Sequence, residues 1–158
     1  MRLPKFILAR ATLWALAGVL IAGQANAAAV TPDKVKISDG EIAMSLTGNA
    51  GDALSGRKLF KNRKLGNCLA CHANQDMTKQ PFHGEIGPTM DGIAKRFSVP
   101  QLRAILVNSK AVFGDGTIMP GFYRVNPGAR TQKKFTDKTI LSAQQIEDII
   151  AYLTTLAE

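Results

Sequence analysis

Five consecutive residues, Cys68-Leu69-Ala70-Cys71-His72, hold the only two cysteines of the chain and one of its two histidines. Each thiol of such a pair can add to one vinyl group of a haem to form a thioether, and a histidine directly after the second cysteine reaches the iron on one face. Three functions in five residues account for the tight spacing. Other chemistries fit less well. A thioredoxin-like Cys-x-x-Cys would follow a buried β-strand, yet Lys61-Asn-Arg-Lys-Leu-Gly-Asn67 has no β-branched run. A zinc site would need Cys68, Cys71, His72 and His83, and adjacent Cys71 and His72 are awkward joint ligands of one tetrahedral ion. A disulfide closing so small a loop constrains almost nothing. The expected cofactor is therefore one covalently bound haem c, with its iron, attached through Cys68 and Cys71 and ligated by His72.

A second axial ligand must come from Met44, Met77, Met90, Met119 or His83. Met77 is five residues from His72, too close to pass round a macrocycle to its other face, and Met44 sits far upstream. Met119 is the strongest candidate, in Gly116-Thr-Ile-Met-Pro-Gly-Phe122. A residue before proline is pushed to extended backbone, and the proline stiffens the loop that presents the sulfur. Met90 and His83 remain alternatives, although a methionine in an apolar pocket is more often packing and His83 reads better as structural. Pro88, sixteen residues past His72, offers a carbonyl for the second ring N–H of an axial histidine and has no N–H of its own to satisfy.

The elements that must position these residues are few and short. Asp52 can cap a helix over 53–64, ended by Gly66. Ser98 and Pro100 start a second over 99–107, and Ser142 with Gln145 makes a capping box for a last helix running to the C-terminus, with Ile146, Ile149, Ile150, Leu153 and Leu156 on one stripe. Between them, 74–92 and 111–139 read as loops far longer than compact domains usually carry. A large prosthetic group would hold them. Residues 28–51 read as a polar, partly extended arm without a core of its own. The expected class is all-α, a few short helices and long loops wrapped around one haem.

Residues 1–27 carry Arg2, Lys5 and Arg10, then an apolar run, then Ala25-Asn-Ala27, the order of a secretory leader. Cleavage after Ala27 leaves 131 of the 158 residues and removes three of the eight net positive charges, together with the only tryptophan. The domain reading is thus a leader at 1–27, an arm at 28–51 and a haem domain at 52–158. A nucleic-acid partner loses its basis with export, and no second long apolar run predicts a membrane span in the mature, periplasmic chain. One basic stretch remains, over 124–138, with Arg124, Arg130, Lys133, Lys134 and Lys138 against Asp137. Such a run is usually a solvated loop; docking is the sharper reading.

Gly56-x-x-x-Phe60, Cys-x-x-Cys-His, Gly87-Pro88, the Met119-Pro loop and Ile-Ile-Ala-Tyr152-Leu together resemble class I cytochromes c, whose first and last helices cross at a glycine. Gly66-Asn-Cys-Leu-Ala-Cys-His72, Phe82-His-Gly-Glu-Ile-Gly-Pro-Thr-Met-Asp-Gly92, Gln101-Leu-Arg-Ala-Ile-Leu-Val-Asn-Ser-Lys110 and Thr117-Ile-Met-Pro-Gly-Phe-Tyr-Arg124 are similar to the SoxX family, over about 46–156. The resemblance implies an electron-transfer subunit paired with SoxA, which together couple thiosulfate oxidatively to a cysteine of the SoxYZ carrier, an L-cysteine S-thiosulfotransferase activity. It implies His72 and Met119 as iron ligands and a soluble cytochrome c as acceptor. The sulfur chemistry belongs to a cysteine-ligated haem of SoxA, and with no spare cysteine this chain is not catalytic alone. A free-standing electron shuttle of the same fold is the alternative.

Overall fold

Capping side chains set where the helices begin. Asp52 accepts from Ser55 N at 2.5 Å to open α1 (Ala53–Phe60). Ser98 and Ser142 each form a reciprocal box with a glutamine three residues on, opening α3 (Val99–Phe113) and α4 (Ala143–Leu153); the box at Ser98 and Gln101 was not anticipated from sequence. A short α2 (Ile93–Arg96), also unanticipated, follows Gly92 in the left-handed region at φ 67°. Single 3-10 turns occur at Pro32–Lys34, Cys68–Ala70, Gln75–Met77 and Lys133–Phe135. The computed structural model describes residues 28–127 and 130–157, so the leader expected at 1–27 lies outside the described residues. Among these residues there is no strand, only an isolated bridge between Ser38 and Glu41.

Three helix ends differ from expectation. α1 stops at Phe60, short of Lys64, because the Asn62 carbonyl takes the N–H groups of Leu65 and Asn67 while its side chain takes that of Lys64. Asparagine offers the backbone an alternative to the helix, so Gly66 is not the terminator. α4 ends at Leu153, where the hydroxyls of Thr154 and Thr155 bond back to the carbonyls of Ala151 and Tyr152. α3 continues six residues beyond Val107, but Asn108, at φ −153° and ψ 83°, is not helical and divides it into two pieces.

The core forms where α1 crosses α4. Ile146, Ile149, Ile150 and Leu153 are buried on the inner stripe of α4, each burial stabilising by about 1.5–3 kcal/mol. Phe60 meets Tyr152 edge to face, with ring centroids 5.7 Å apart. A Cβ on Gly56 would lie 1.9 Å from the Asp148 carbonyl oxygen and 2.8 Å from Tyr152 Cβ. Gly56→Ala is accordingly expected to destabilise. Roughly 1 kcal/mol of better helix propensity is outweighed by about 1–3 kcal/mol of overpacking, read as a lower denaturant midpoint of the haem-loaded protein.

The segment 28–51 is not a free arm. Ile42 and Leu46 are buried in the same core, Val30 N donates to Leu46 O at 2.8 Å, and the Tyr123 hydroxyl donates to Val30 O at 2.7 Å. Arg103 of α3 and Glu147 of α4, both buried, form a two-point ion pair at 2.8 and 3.0 Å. Arg103 also donates to Ile42 O at 2.7 Å, and Glu147 accepts from Leu46 N at 2.8 Å.

A polar chain closes the other side of the helix crossing. Asn74 Nδ2 donates to the Tyr152 hydroxyl, which donates to Asp76 Oδ2, both at 2.8 Å, and Arg57 Nε donates to the same oxygen at 2.7 Å. The bond from Arg57, then that from Tyr152, hold the Asp76 carboxyl below its ordinary value of 3.8, while burial and then the bond to Asp76 push the Tyr152 phenol up. A carboxyl depressed in the folded state stabilises above its unfolded pKa and loses that contribution as pH falls through the folded one. The contribution is therefore complete at neutral pH, starts to fall near the unfolded value of about 3.9 and is gone only below the depressed folded value, and because Arg57 and Asp76 are 39% and 41% exposed, solvent screening keeps it small. Asp76→Asn is expected to be less stable than wild type at pH 7, with the gap closing below pH ~3.9. A gap of constant size in denaturation at the two pH values would count against this.

Candidate functional site

The Cys-His segment is shaped before any ligand is considered. Asn67 adopts the left-handed conformation at φ 49°, which asparagine tolerates, and turns the chain into Cys68–Ala70. Cys71 N and His72 N both donate to Cys68 O at 3.0 Å. The loop that follows then runs alongside this segment in the same direction, rung by rung. Gly84 N donates to Leu69 O, Gly87 N to Cys71 O and Met90 N to Ala73 O, at 2.9, 2.8 and 2.9 Å.

Those rungs bring Pro88 to the histidine. His72 Nδ1 lies 2.7 Å from Pro88 O. A carbonyl can only accept, so Nδ1 carries the ring proton and the Nε2 lone pair is left for another partner. Gly87 is required here for proximity: a Cβ on it would be 2.3 Å from His72 Cε1 and 2.6 Å from Nδ1.

Cys68, Cys71, His72, Pro88 and Met119 all line one cavity of about 540 Å³, within the size range of cofactor pockets. Its other walls are mostly apolar side chains of all four helices, among them Phe60, Ile93, Leu102 and Ile149. Thr117, Ile118, Met119 and Pro120 contribute one stretch of lining. Of the alternative ligands, Met90 also lines the cavity and is buried. His83 does not, and both its ring nitrogens are engaged, Nδ1 accepting from Asn74 N at 3.3 Å and Nε2 facing Met77 O at 2.9 Å. Met77 is buried away from the cavity and Met44 is 80% exposed.

This donor set fits a haem. An imidazole with a fixed tautomer, a thioether and two thiols border a space with mostly apolar walls, which a flat apolar macrocycle joined at Cys68 and Cys71 would fill. The cysteines are not bonded to each other. Burial pushes the Cys68 thiol up to about 12, so it is protonated at neutral pH and a poor nucleophile for disulfide exchange. Among the described residues no three His, Cys, Asp or Glu side chains gather into a metal-binding group.

Sequence reasoning named the cysteines, the histidine and the methionines, and the Pro88 carbonyl beside His72, but not the other residues that hold them. The role of Gly87 as the point of contact with the His72 ring was missed, although its place before Pro88 was a signal. The Arg103–Glu147 pair left only a faint trace, a charge in the buried stripe of each of two helices. The basic stretch 124–138 also has a partner that no spacing indicated: Lys134 Nζ donates to Lys64 O at 2.7 Å, which joins it to the basic run 57–64 beside the cavity-lining Gly66 and Asn67.

Comparison with known proteins agrees with this geometry. The cytochrome c family model matches residues 53–157. The chain is similar to the solved structure of SoxXA from P. pantotrophus, with 39% identity over 82% of this chain and 99% of that chain and a TM-score of 0.75. Ferric cytochrome c-550 from Paracoccus versutus is 18% identical over 68% of this chain and 99% of that one, with a TM-score of 0.37. No curated protein matches.

Proposed function

This chain belongs to the cytochrome c family, in its SoxX branch, and from that premise we propose that it takes electrons from SoxA during thiosulfate oxidation and passes them to a soluble cytochrome c. The observation that carries the reading is the convergence of Cys68, Cys71, His72 and Met119 on one apolar cavity in a chain 39% identical to the SoxXA structure. The chain carries a covalently bound haem c and acts as a non-catalytic electron-transfer subunit in sulfur oxidation, all-α in fold. SoxA is its partner.

When bound, the haem supplies reversible one-electron exchange between ferrous and ferric iron. Everything else is done by the chain. Cys68 and Cys71 would fix the group in place through thioether bonds. His72 offers Nε2 because Pro88 O holds its Nδ1 proton, which also raises the basicity of the ring. Met119 offers a neutral thioether, and two neutral ligands favour the less charged ferrous state more than an anionic thiolate does. With both ligands neutral, this site would hold an electron more readily than a thiolate-ligated haem, the order that the proposed direction from SoxA requires. Phe60, Leu102 and Ile149 keep water from the site and reinforce that preference. The sequence has no third cysteine, so the chain supplies no thiolate for the sulfur step itself.

The surface supports two protein contacts. Ile86, Phe113 and Ile118 line the cavity yet are 67%, 52% and 75% exposed, an apolar rim suited to a protein partner such as SoxA. The joined basic runs 57–64 and 130–138 border the Cys68 side and suit an acidic acceptor. Residues 1–27 serve as the export leader, placing the mature chain in the periplasm; no helix among the described residues is long and apolar enough to cross a membrane. SoxYZ enters as the carrier whose thiosulfate adduct the SoxA site forms.

Mixing the ferric protein with thiosulfate, SoxA and SoxYZ tests the proposal by visible spectroscopy. Reduction of this haem is expected only when all are present, together with co-purification with SoxA. A protein that purifies alone, in cells that oxidise thiosulfate equally well without it, is a free-standing shuttle and defeats the reading.

A further inference from the structure

The break in α3 at Asn108 faces the loop that carries Met119, and the two are laced together. Phe122 N donates to Leu106 O at 3.0 Å and Tyr123 N to Val107 O at 3.3 Å, so carbonyls at the break serve the loop. Arg124 donates to Asn108 Oδ1 at 3.1 Å. Gly121 lets the strands of chain approach, since a Cβ there would lie 3.0 Å from Val107 O. The next residues of the helix reach further back along the loop. The Ser109 hydroxyl, in a residue with no exposed surface, donates to Met119 O at 2.5 Å, and Lys110 Nζ donates to Thr117 O at 2.6 Å and to Asp115 O at 3.2 Å.

Taking Met119 as the second axial ligand, we infer that Ser109 and Lys110 are positioning residues that hold its thioether at the iron. The physical reason is the weakness of the ligand. A neutral sulfur competes poorly with added nitrogen ligands unless the loop that presents it is already ordered, because ordering the loop costs conformational entropy each time the bond forms. Ser109 is bonded to the carbonyl of the ligand residue itself, which leads into Pro120, and Lys110 to the carbonyl two residues before it, so together they fix the segment on both sides of the thioether, the far side lacking the stiffening of Pro120. The Ser109 side chain is buried, and its hydroxyl is used on Met119 O. Ser109 thus serves the loop rather than the helix.

Titration of the ferric, haem-loaded protein with imidazole, which displaces a weakly held thioether, tests this. Ser109→Ala is expected to bind imidazole about tenfold more tightly than wild type, the equivalent of one buried hydrogen bond. Ser109→Thr restores wild-type affinity, and Lys110→Met, which does not alter a fully buried site, shifts it in the same direction as Ser109→Ala but less. The near-infrared charge-transfer band of thioether-bound ferric haem weakens in parallel. Imidazole affinity and band unchanged in Ser109→Ala and Lys110→Met, with only global stability lowered, would make both residues merely structural and overturn the inference. Met119→Ala separates that failure from failure of the ligand reading: if the band survives Met119→Ala, the thioether is not at the iron and both fall.

Discussion

Glu147→Ala is expected to lower the stability of the haem-loaded protein by about 3–5 kcal/mol, a large part of the ~5–15 kcal/mol that holds a domain together. Removing the carboxylate strips buried Arg103 of both its bonds to acid and leaves a cation in the core with only Ile42 O for company. The Leu46 N–H loses its acceptor as well. An ion pair of this kind contributes little net stability against a well-packed apolar replacement, because burying both charges costs nearly what their attraction returns. Here the pair also satisfies two backbone groups of the segment 28–51, so Arg103→Met with Glu147→Leu is expected to recover only part of the loss. Denaturant midpoints for the single and double variants measure this, and limited proteolysis adds a local readout: cleavage between 40 and 51 should rise in Glu147→Ala before the rest of the chain is cut. A double variant as stable as wild type would show that the pair has no such anchoring role.

That pair marks the boundary of what residue patterns could reveal. The cytochrome c fold was legible because covalent attachment demands a contiguous motif, Cys68 to His72, and because α4 announces itself with Ser142, Gln145 and an apolar stripe. Gly56 and Tyr152 were assigned to a helix crossing through the resemblance to class I cytochromes c, and the structure supplies the reason for the glycine: the close approach leaves no room for a Cβ at Gly56. The ends of α1 and the break in α3 were not legible. Asn62 and Asn108 have no strong signature, and what decides them is competition between helix bonds and side-chain or loop bonds that form only when distant segments meet. Residues 28–51 looked polar and without a core of their own because Ile42 and Leu46 are the apolar side chains of that stretch buried in the shared core, with Val35 and Ile37 only partly covered, and their anchors, Arg103 and Glu147, lie more than fifty residues away. At the cavity, the residues that bond to a ligand carry chemical signals, whereas Gly87 and Ser109 act through contact distance and a single hydroxyl.

Met119→Ala is expected to abolish the near-infrared charge-transfer band of the ferric protein and to lower its reduction potential by on the order of 0.1 V, within the roughly 0.8 V range that axial ligands span. Two effects of the same sign produce the drop. A thioether favours ferrous iron over ferric, and its loss opens the cavity beside exposed Ile118 to water, which stabilises the more charged ferric state. For a one-electron couple 59 mV is tenfold, so the equilibrium for accepting an electron from SoxA would worsen by between one and two orders of magnitude. Covalent attachment would be untouched, since Cys68, Cys71 and His72 are unaltered and the His72 ring is still held by Pro88 O. Acid-denatured protein should therefore keep its colour in Met119→Ala and lose it when Cys68 and Cys71 are both replaced by alanine. Redox titration of the variant beside Met90→Leu decides between the two methionines that line the cavity. A fall in potential with loss of the band in Met90→Leu, and neither in Met119→Ala, would move the ligand to Met90; the reverse outcome keeps it at the loop that Ser109 and Lys110 secure.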